Sequence, residues 1–249
     1  MIRFGVHSHQ APAPFQLPFR TWDCNGAQSI ADLSMVKSAV ARYGDVLHTL
    51  GPATPTPEYI TALVQAGVSS IELWNEPDHL WPGIPGDLMA QSRMVYQAAK
   101  AANPQVTIVA PGTQSSTWFE QFSMSMDPAL WFDVIGVHVY APDLMGWWNT
   151  AYALCAALRD VNSGSTRLRG MPIWITEAGI PWRDWSEWQW CQFFEVGEAL
   201  GRQVPTLERV YLYAYDQTPS DAATGQFNYQ GDAAFQAISS RARLAKQLP

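Results

Sequence analysis

Charged side chains are scarce. Asp, Glu, Lys and Arg together make up 15% of the 249 residues, against about 25% in ordinary domains. No cluster of Lys or Arg relieves that scarcity. The formal charge of −7 and the pI near 5.1 exclude a nucleic-acid backbone or an anionic membrane as the expected partner, because both reward massed cations. A surface so poor in charge relies on neutral polar and aromatic groups, which suits an uncharged, hydroxyl-rich ligand.

Cysteine is nearly absent as well. Cys24, Cys155 and Cys191 lie far apart, show no metal-ligand spacing and, being odd in number, cannot all pair within the chain; free thiols are expected. No apolar stretch approaches the roughly 18 residues that span a bilayer, so no membrane segment is expected. The opening Met-Ile-Arg-Phe-Gly-Val-His already reads as a strand, and no signal peptide is expected before it. A secreted chain trimmed of its leader would read alike, so secreted and cytoplasmic locations both stay open. No glycine-rich phosphate loop follows that first strand, which counts against an open, doubly wound sheet.

An apolar fraction of 47% is enough to fill one substantial core. Short β-branched or aromatic runs recur at 2–8, 19–23, 45–50, 69–75, 105–110, 133–140, 172–177 and 209–215. Between them, stretches with an apolar residue every three to four positions predict helices at 28–43, 57–67, 86–102, 116–125, 148–162, 186–202 and 231–247. Alternating strands and helices imply a parallel sheet, and eight strands is the barrel number. The expectation is an α/β fold, a single (β/α)8 TIM barrel over residues 1–249. A Pro-rich loop at 11–18 would replace the first helix, since its prolines cannot continue one. Gly44, Pro57, Asn103-Pro104 and Gly170 punctuate the pattern at predicted element ends.

Two motifs carry the chemistry. Trp74-Asn75-Glu76-Pro77 closes the fourth predicted strand and Ile175-Thr176-Glu177-Ala178-Gly179 the seventh, about a hundred residues apart. In a barrel of this kind, side chains at the C-terminal strand ends converge on the mouth. A retaining glycosidase needs such a pair: one carboxyl as proton donor and one as nucleophile, roughly 5 to 5.5 Å apart. The donor has to keep its proton, which an apolar wall such as Trp74 or Trp81 would favour. Alternation places Glu72 on the same face as Glu76, and a buried carboxylate requires a partner; Arg3, four residues before His7 on the first strand, is the expected one. His138 and Tyr140 end the sixth strand on one face, placed either to touch substrate or to pack at the rim. His7 ends the first strand, where a histidine is more often structural.

The chain resembles the clan A glycoside hydrolases, in particular the family 39-like group. The resemblance rests on Arg20-Thr21-Trp22-Asp23, Trp74-Asn75-Glu76-Pro77-Asp78, the segment 133–140 ending in His138-Val139-Tyr140, and Trp174-Ile175-Thr176-Glu177-Ala178-Gly179. It implies that Glu76 is the acid/base and Glu177 the nucleophile, that Asn75 hydrogen-bonds the sugar 2-hydroxyl, and that Arg20 holds Glu177 ionised. It also implies that His138 or Tyr140 steadies the nucleophile or the ring substituents. Trp22 falls within the matching segments as a substrate-binding position. Tyr215 stands where many relatives carry Trp, which alters the floor of the sugar pocket.

Twelve tryptophans are many for this length. Trp81, Trp147, Trp148, Trp182 and Trp185 fall in predicted mouth loops, where flat indoles suit the C–H faces of sugars; Trp188 and Trp190 read as core of the seventh helix. Short loops after strands two, three and five favour an open groove and endo action. The expected substrate is a β-linked polysaccharide or oligosaccharide, the expected state a monomer, and no metal or other cofactor is expected, because the five histidines make no paired helical motif. A non-catalytic carbohydrate-binding protein on a glycosidase-like barrel is the alternative, marked by binding without cleavage.

Overall fold

In the computed structural model, residues 2–7, 19–22, 33–51, 54–80, 83–126, 130–164, 168, 170–180 and 185–213 are described. Eight strands appear where the apolar runs place them: β1 (Arg3–His7), β2 (Phe19–Trp22), β3 (Val46–Thr49), β4 (Ser70–Glu72), β5 (Thr107–Val109), β6 (Ile135–Tyr140), β7 (Ile173–Gly179) and β8 (Leu207–Leu212). They form one sheet in the order β5-β4-β3-β2-β1-β8-β7-β6, and every paired ladder is parallel. This is the TIM-barrel order. The outer strands β5 and β6 meet through isolated parallel bridges, Val109 to Val134 and Thr113 to Val137, instead of a continuous ladder.

Strand alternation sorts the side chains into two cores. Phe4, Val6, Val46, Ile71, Ile108, Ile135, Val137, Ile173, Ile175 and Val210 face outward into the large cluster shared with the helices. Leu47, Val109, Val134, Trp174 and Tyr211 form a second cluster. Below that plug, Asp45 gathers Arg3 (2.6 Å) and Arg209 (3.0 Å), and Arg209 lies over the Trp174 ring at 4.1 Å.

Among the described residues, seven helices accompany the strands: α1 (Ser34–Tyr43), α2 (Pro57–Gln65), α3 (Pro77–Leu80), α4 (Gly86–Ala102), α5 (Ser116–Ser125), α6 (Leu144–Gly164) and α7 (Glu187–Gln203). Their starts are written locally. Thr56 caps α2 by accepting from Tyr59 N, with Pro57 supplying the ready-made first-turn φ; Ser186 and Gln189 form a reciprocal capping box on α7. Gly44 ends α1 at φ 71°, a left-handed value that a Cβ would disfavour. The Pro-rich segment 11–18 and the predicted helix 231–247 lie outside the described residues.

Several expectations need correction. Arg3 does not reach Glu72. Register pairs Glu72 with Thr49 and Thr49 with Trp22, two residues beyond Arg20, which is the partner of His7; Arg3 lies four residues before His7, so barrel stagger puts it far below Glu72. Arg3 pairs instead with Asp45 at the lower rim. Helix α6 begins a turn earlier than predicted, which draws Trp147 out of the mouth and fully buries it against Phe193. Trp190 is core, but Trp188 is 67% exposed on the outer face of α7. Helix α3, a single turn directly after Glu76, was not foreseen.

Candidate active site

The mouth is assembled from the upper ends of β4, β6 and β7. Strand β4 stops at Glu72, and the chain continues through Leu73-Trp74-Asn75 to Glu76, so Glu76 stands four residues past the strand and not at its last position. Trp74 and Glu76 both hold φ 46°, a left-handed conformation that residues with a Cβ rarely adopt and that costs of order 1–3 kcal/mol. Bonds from Glu76 N to Gly112 O (3.0 Å) and from Gly112 N to Trp74 O (3.3 Å), with an Asn75–Gly112 bridge, hold this segment against the end of β5. Glu177 sits inside β7. Between Val137 and His138 the β6–β7 register shifts, so that Ile175 pairs with Val137 but Glu177 with His138. Such bulges re-aim side chains beside active sites.

One imidazole joins the two glutamates. His138 Nδ1 lies 2.9 Å from Glu76 Oε1 and 3.5 Å from Glu177 Oε2, and one donor atom from each of the three residues falls within 4.8 Å of the others. Gln114 Nε2 donates to Glu76 Oε1 at 3.0 Å, and His79 Nδ1 stands 3.3 Å from Glu76 Oε2. The Tyr140 hydroxyl donates to Glu177 Oε2. Behind the ring, His138 Nε2 faces Glu72 Oε1 at 3.8 Å, and Glu72 Oε2 accepts from Thr49 Oγ1 at 2.6 Å. The side chains of His138 and Glu72 are wholly buried and that of Glu177 is 4% exposed, whereas 22% of the Glu76 side chain reaches solvent.

The electrostatics follow from this crowding. Burial alone would lower the His138 value, but the charge of Glu177 and the contacts with Glu72 and Glu76 push it up to about 10. Burial alone would raise Glu76, yet its bond to His138 and the ring's charge, helped by Gln114 and His79, hold its carboxyl down to about 2. Burial, then the charges of Glu177 and Glu76, drive Tyr140 well above its ordinary value, so the phenol stays a donor. An apolar wall would raise the Glu76 carboxyl, but the contacts with His138, Gln114 and His79 lower it and favour the proton on the ring.

Of the expected site residues, Glu76, Glu177, His138 and Tyr140 come together at one point, and Asn75 lies at the same rim, bridged to Gly112. Arg20 and Trp22 are on β2, with only their backbones described; Trp81, Trp182 and Tyr215 lie outside the described residues. His7 is fully buried and packs its ring 5.0 Å from Tyr213, whose ring is 6.1 Å from Tyr140. Trp148 and Trp185 pack at the edge of the outer core. Sequence reasoning missed Gln114, His79 and the link from Glu72 through His138. Only His79, three residues after Glu76 on a helical turn, left a local signal. A cleft of about 410 Å³ lined by Asp78, His79, Gln114, Ser115, Thr117, Trp118 and Gln121 opens on the Glu76 side.

A family model described as glycosyl hydrolase catalytic core matches residues 51–231. No curated protein matches the chain. Among solved structures, a glucosidase from Croceicoccus marinus superposes with TM-score 0.61 at 14% identity, covering 96% of this chain and 66% of that one. A family 39 glycoside hydrolase from Bacteroides cellulosilyticus WH2 gives TM-score 0.61 at 17% identity, covering 98% and 64%. An endo-beta-1,4-mannanase from Thermotoga petrophila gives 0.58 at 10%, covering 98% and 77%. These likenesses establish the fold, and the chain spans about two thirds of the first two structures.

Proposed function

The chain belongs to the glycosyl hydrolase catalytic core family, and on that footing we propose that it is a retaining O-glycosidase, endo-acting on a β-linked polysaccharide, with Glu177 as nucleophile and Glu76 as acid/base. The observation that carries this reading is the placement of oxygens from both glutamates, together with His138 Nδ1, within 4.8 Å of one another. Retaining enzymes hold their carboxyl groups roughly 5 to 5.5 Å apart, and inverting ones leave room for a water at roughly 6.5 to 9.5 Å.

The division of roles rests on access to the proton and to the cleft. His138 Nδ1 is nearer Glu76 than Glu177, and Glu76 is the more exposed of the two, beside the cleft where a leaving sugar would sit. That Glu177 accepts from the Tyr140 phenol on a buried strand supports its reading as the group that attacks the anomeric carbon. In the first step a Glu177 oxygen bonds to that carbon while its bond to the leaving oxygen breaks, and the leaving oxygen takes through Glu76 the proton that the His138–Glu76 pair shares. In the second, water attacks the glycosyl ester, its proton returns through Glu76, and Glu177 is released as a carboxylate. Asn75, beside Glu76, is the candidate for the sugar 2-hydroxyl.

Glu177→Ala and Glu76→Gln should each remove nearly all hydrolysis while the circular dichroism and melting temperature hold. Proton NMR of the first-formed product on a panel of β-glycans should show the retained anomer, and product lengths should reveal internal cleavage. Turnover near that of the parent in either variant, or an inverted first product, defeats the assignment.

A further inference from the structure

We propose that Glu72, which lies too deep to touch substrate, is a positioning residue of this site: with Thr49 it fixes His138 from behind as a doubly protonated ring whose Nδ1 proton is delivered to Glu76. The inference rests on the reading of Glu76 as acid/base for its catalytic consequence, but the state of the ring can be measured independently of any activity.

The argument begins with an arrangement that two catalytic carboxylates do not require. Glu72 is fully buried on β4, and a carboxylate there costs several kcal/mol of lost hydration unless its charge is answered. Thr49 Oγ1 on β3 donates to Glu72 Oε2 at 2.6 Å, and His138 Nε2 on β6 stands 3.8 Å from Glu72 Oε1, an electrostatic approach longer than a hydrogen bond. The remaining ring nitrogen is 2.9 Å from Glu76 Oε1. The three residues thus form a line, carboxylate to imidazole to carboxylate, running from the barrel interior to the mouth. A carboxylate behind a histidine fixes the ring's orientation and favours its charged form, as the aspartate does in serine hydrolases.

Room for this line is made by glycine. A Cβ on Gly112 would overlap His138 Nε2 and stand 2.8 Å from Glu72 Oε1, and one on Gly136 would stand 3.2 Å from Glu72 Oε1. The segment after β5 and strand β6 thus both lack a side chain beside the Glu72 carboxyl, although a Cβ on Gly136 would meet Ala110 O first, at 2.5 Å. The titratable groups facing His138 among the described residues are Glu72 and Glu76 from the β4 side, Glu177 on β7 and Tyr140 on its own strand. All the charges in that set are negative, so a protonated ring is the favourable neighbour for each of them.

The proton balance closes. When Glu76 gives its proton to the leaving oxygen, the proton originates at His138 Nδ1 and crosses the 2.9 Å bond to Glu76 Oε1, leaving a neutral ring. The attacking water in the second step returns a proton through Glu76 to the ring. Neither oxidant nor metal is required.

The test is nitrogen-15 NMR of the resting protein with labelled histidine, the His138 signals being those missing from His138→Asn. At pH 8 both ring nitrogens should carry protons, and in Glu72→Gln the titration midpoint of the ring should fall by about one pH unit or more, with the alkaline limb of kcat/KM falling alongside it. Glu72→Asp, which keeps the charge, should restore most of both. A neutral His138 in the parent at pH 8 overturns the proposal even if Glu72→Gln fails to fold. So does a Glu72→Gln variant that is less active at every pH with its midpoint unmoved. A doubly protonated, Glu72-dependent ring in a protein that cleaves no glycan would uphold this inference and sink the proposed function instead.

Discussion

His138 and Glu177 stand opposite one another across the β6–β7 ladder only because the register shifts between Val137 and His138. Thr176 occupies the extra position on β7, its hydroxyl reaching Val137 O at 3.4 Å. The shift places Glu177 between the Tyr140 phenol and the His138 ring. Strict alternation counted from Ile175, which packs in the outer core, would put Thr176 on the inner face and Glu177 on the outer.

Tyr140→Phe should expose what the phenol contributes. Its hydroxyl, on a half-buried ring, donates to Oε2 of the buried Glu177, and a hydrogen bond to a charged acceptor is worth about 1.5–3 kcal/mol. We expect kcat to fall about 10- to 100-fold, with melting temperature little changed. Steady-state kinetics on a chromogenic glycoside would show it, and an unchanged kcat would remove Tyr140 from the reaction.

Gly112→Ala should damage activity more than its size suggests. The new methyl would overlap His138 Nε2 and crowd Glu72 Oε1 at 2.8 Å, and overpacking of this kind costs about 1–3 kcal/mol. Displacing the ring from Glu76 should cut kcat/KM about 100-fold or more, whereas Gly83→Ala, with nothing near its Cβ, should be silent. Equal behaviour of the two variants would mean that the ring's place is not set by this contact.

Stability should depend on pH at both ends because of one pair. His138 is raised in the folded chain from 6.5 to about 10, so its contribution is fully present below about 6.5 and is lost as pH rises through about 10. Glu76 is lowered from 4.5 to about 2, so its contribution is present above about 4.5 and is lost as pH falls through about 2. Replacing His138 by Gln removes the principal cause of the Glu76 shift and should flatten both limbs. Melting temperature against pH for parent and variant is the measurement, and parallel curves would contradict the pairing.

The described cysteines should differ sharply in reactivity. Cys155 is buried in the outer core, with its thiol pushed up to about 12, while Cys191 is exposed on α7. Iodoacetamide at pH 8 followed by peptide mapping should label Cys191 in the native protein and Cys155 only after unfolding. Native labelling of Cys155 at the rate of Cys191 would show that α6 opens readily.

Much of this protein is legible in one dimension. The alternation of apolar runs and helical stripes determined eight parallel strands in order, since burying both faces of each strand leaves a periodic trace in sequence. Thr56-Pro57 and Ser186 marked helix starts because capping is a contact over three residues. The glutamates 76 and 177 announced themselves through their neighbours. What tertiary structure alone decided lies between strands. Stagger removed Arg3 from Glu72 and gave it to Asp45, an offset that no single strand records. The register shift beside His138 and the space left by Gly112 brought an imidazole within reach of three carboxylates. That meeting lowers the Glu76 carboxyl where an apolar wall would have raised it, because a pKa answers to the charges packed within a few ångströms and not to the neighbours in the chain.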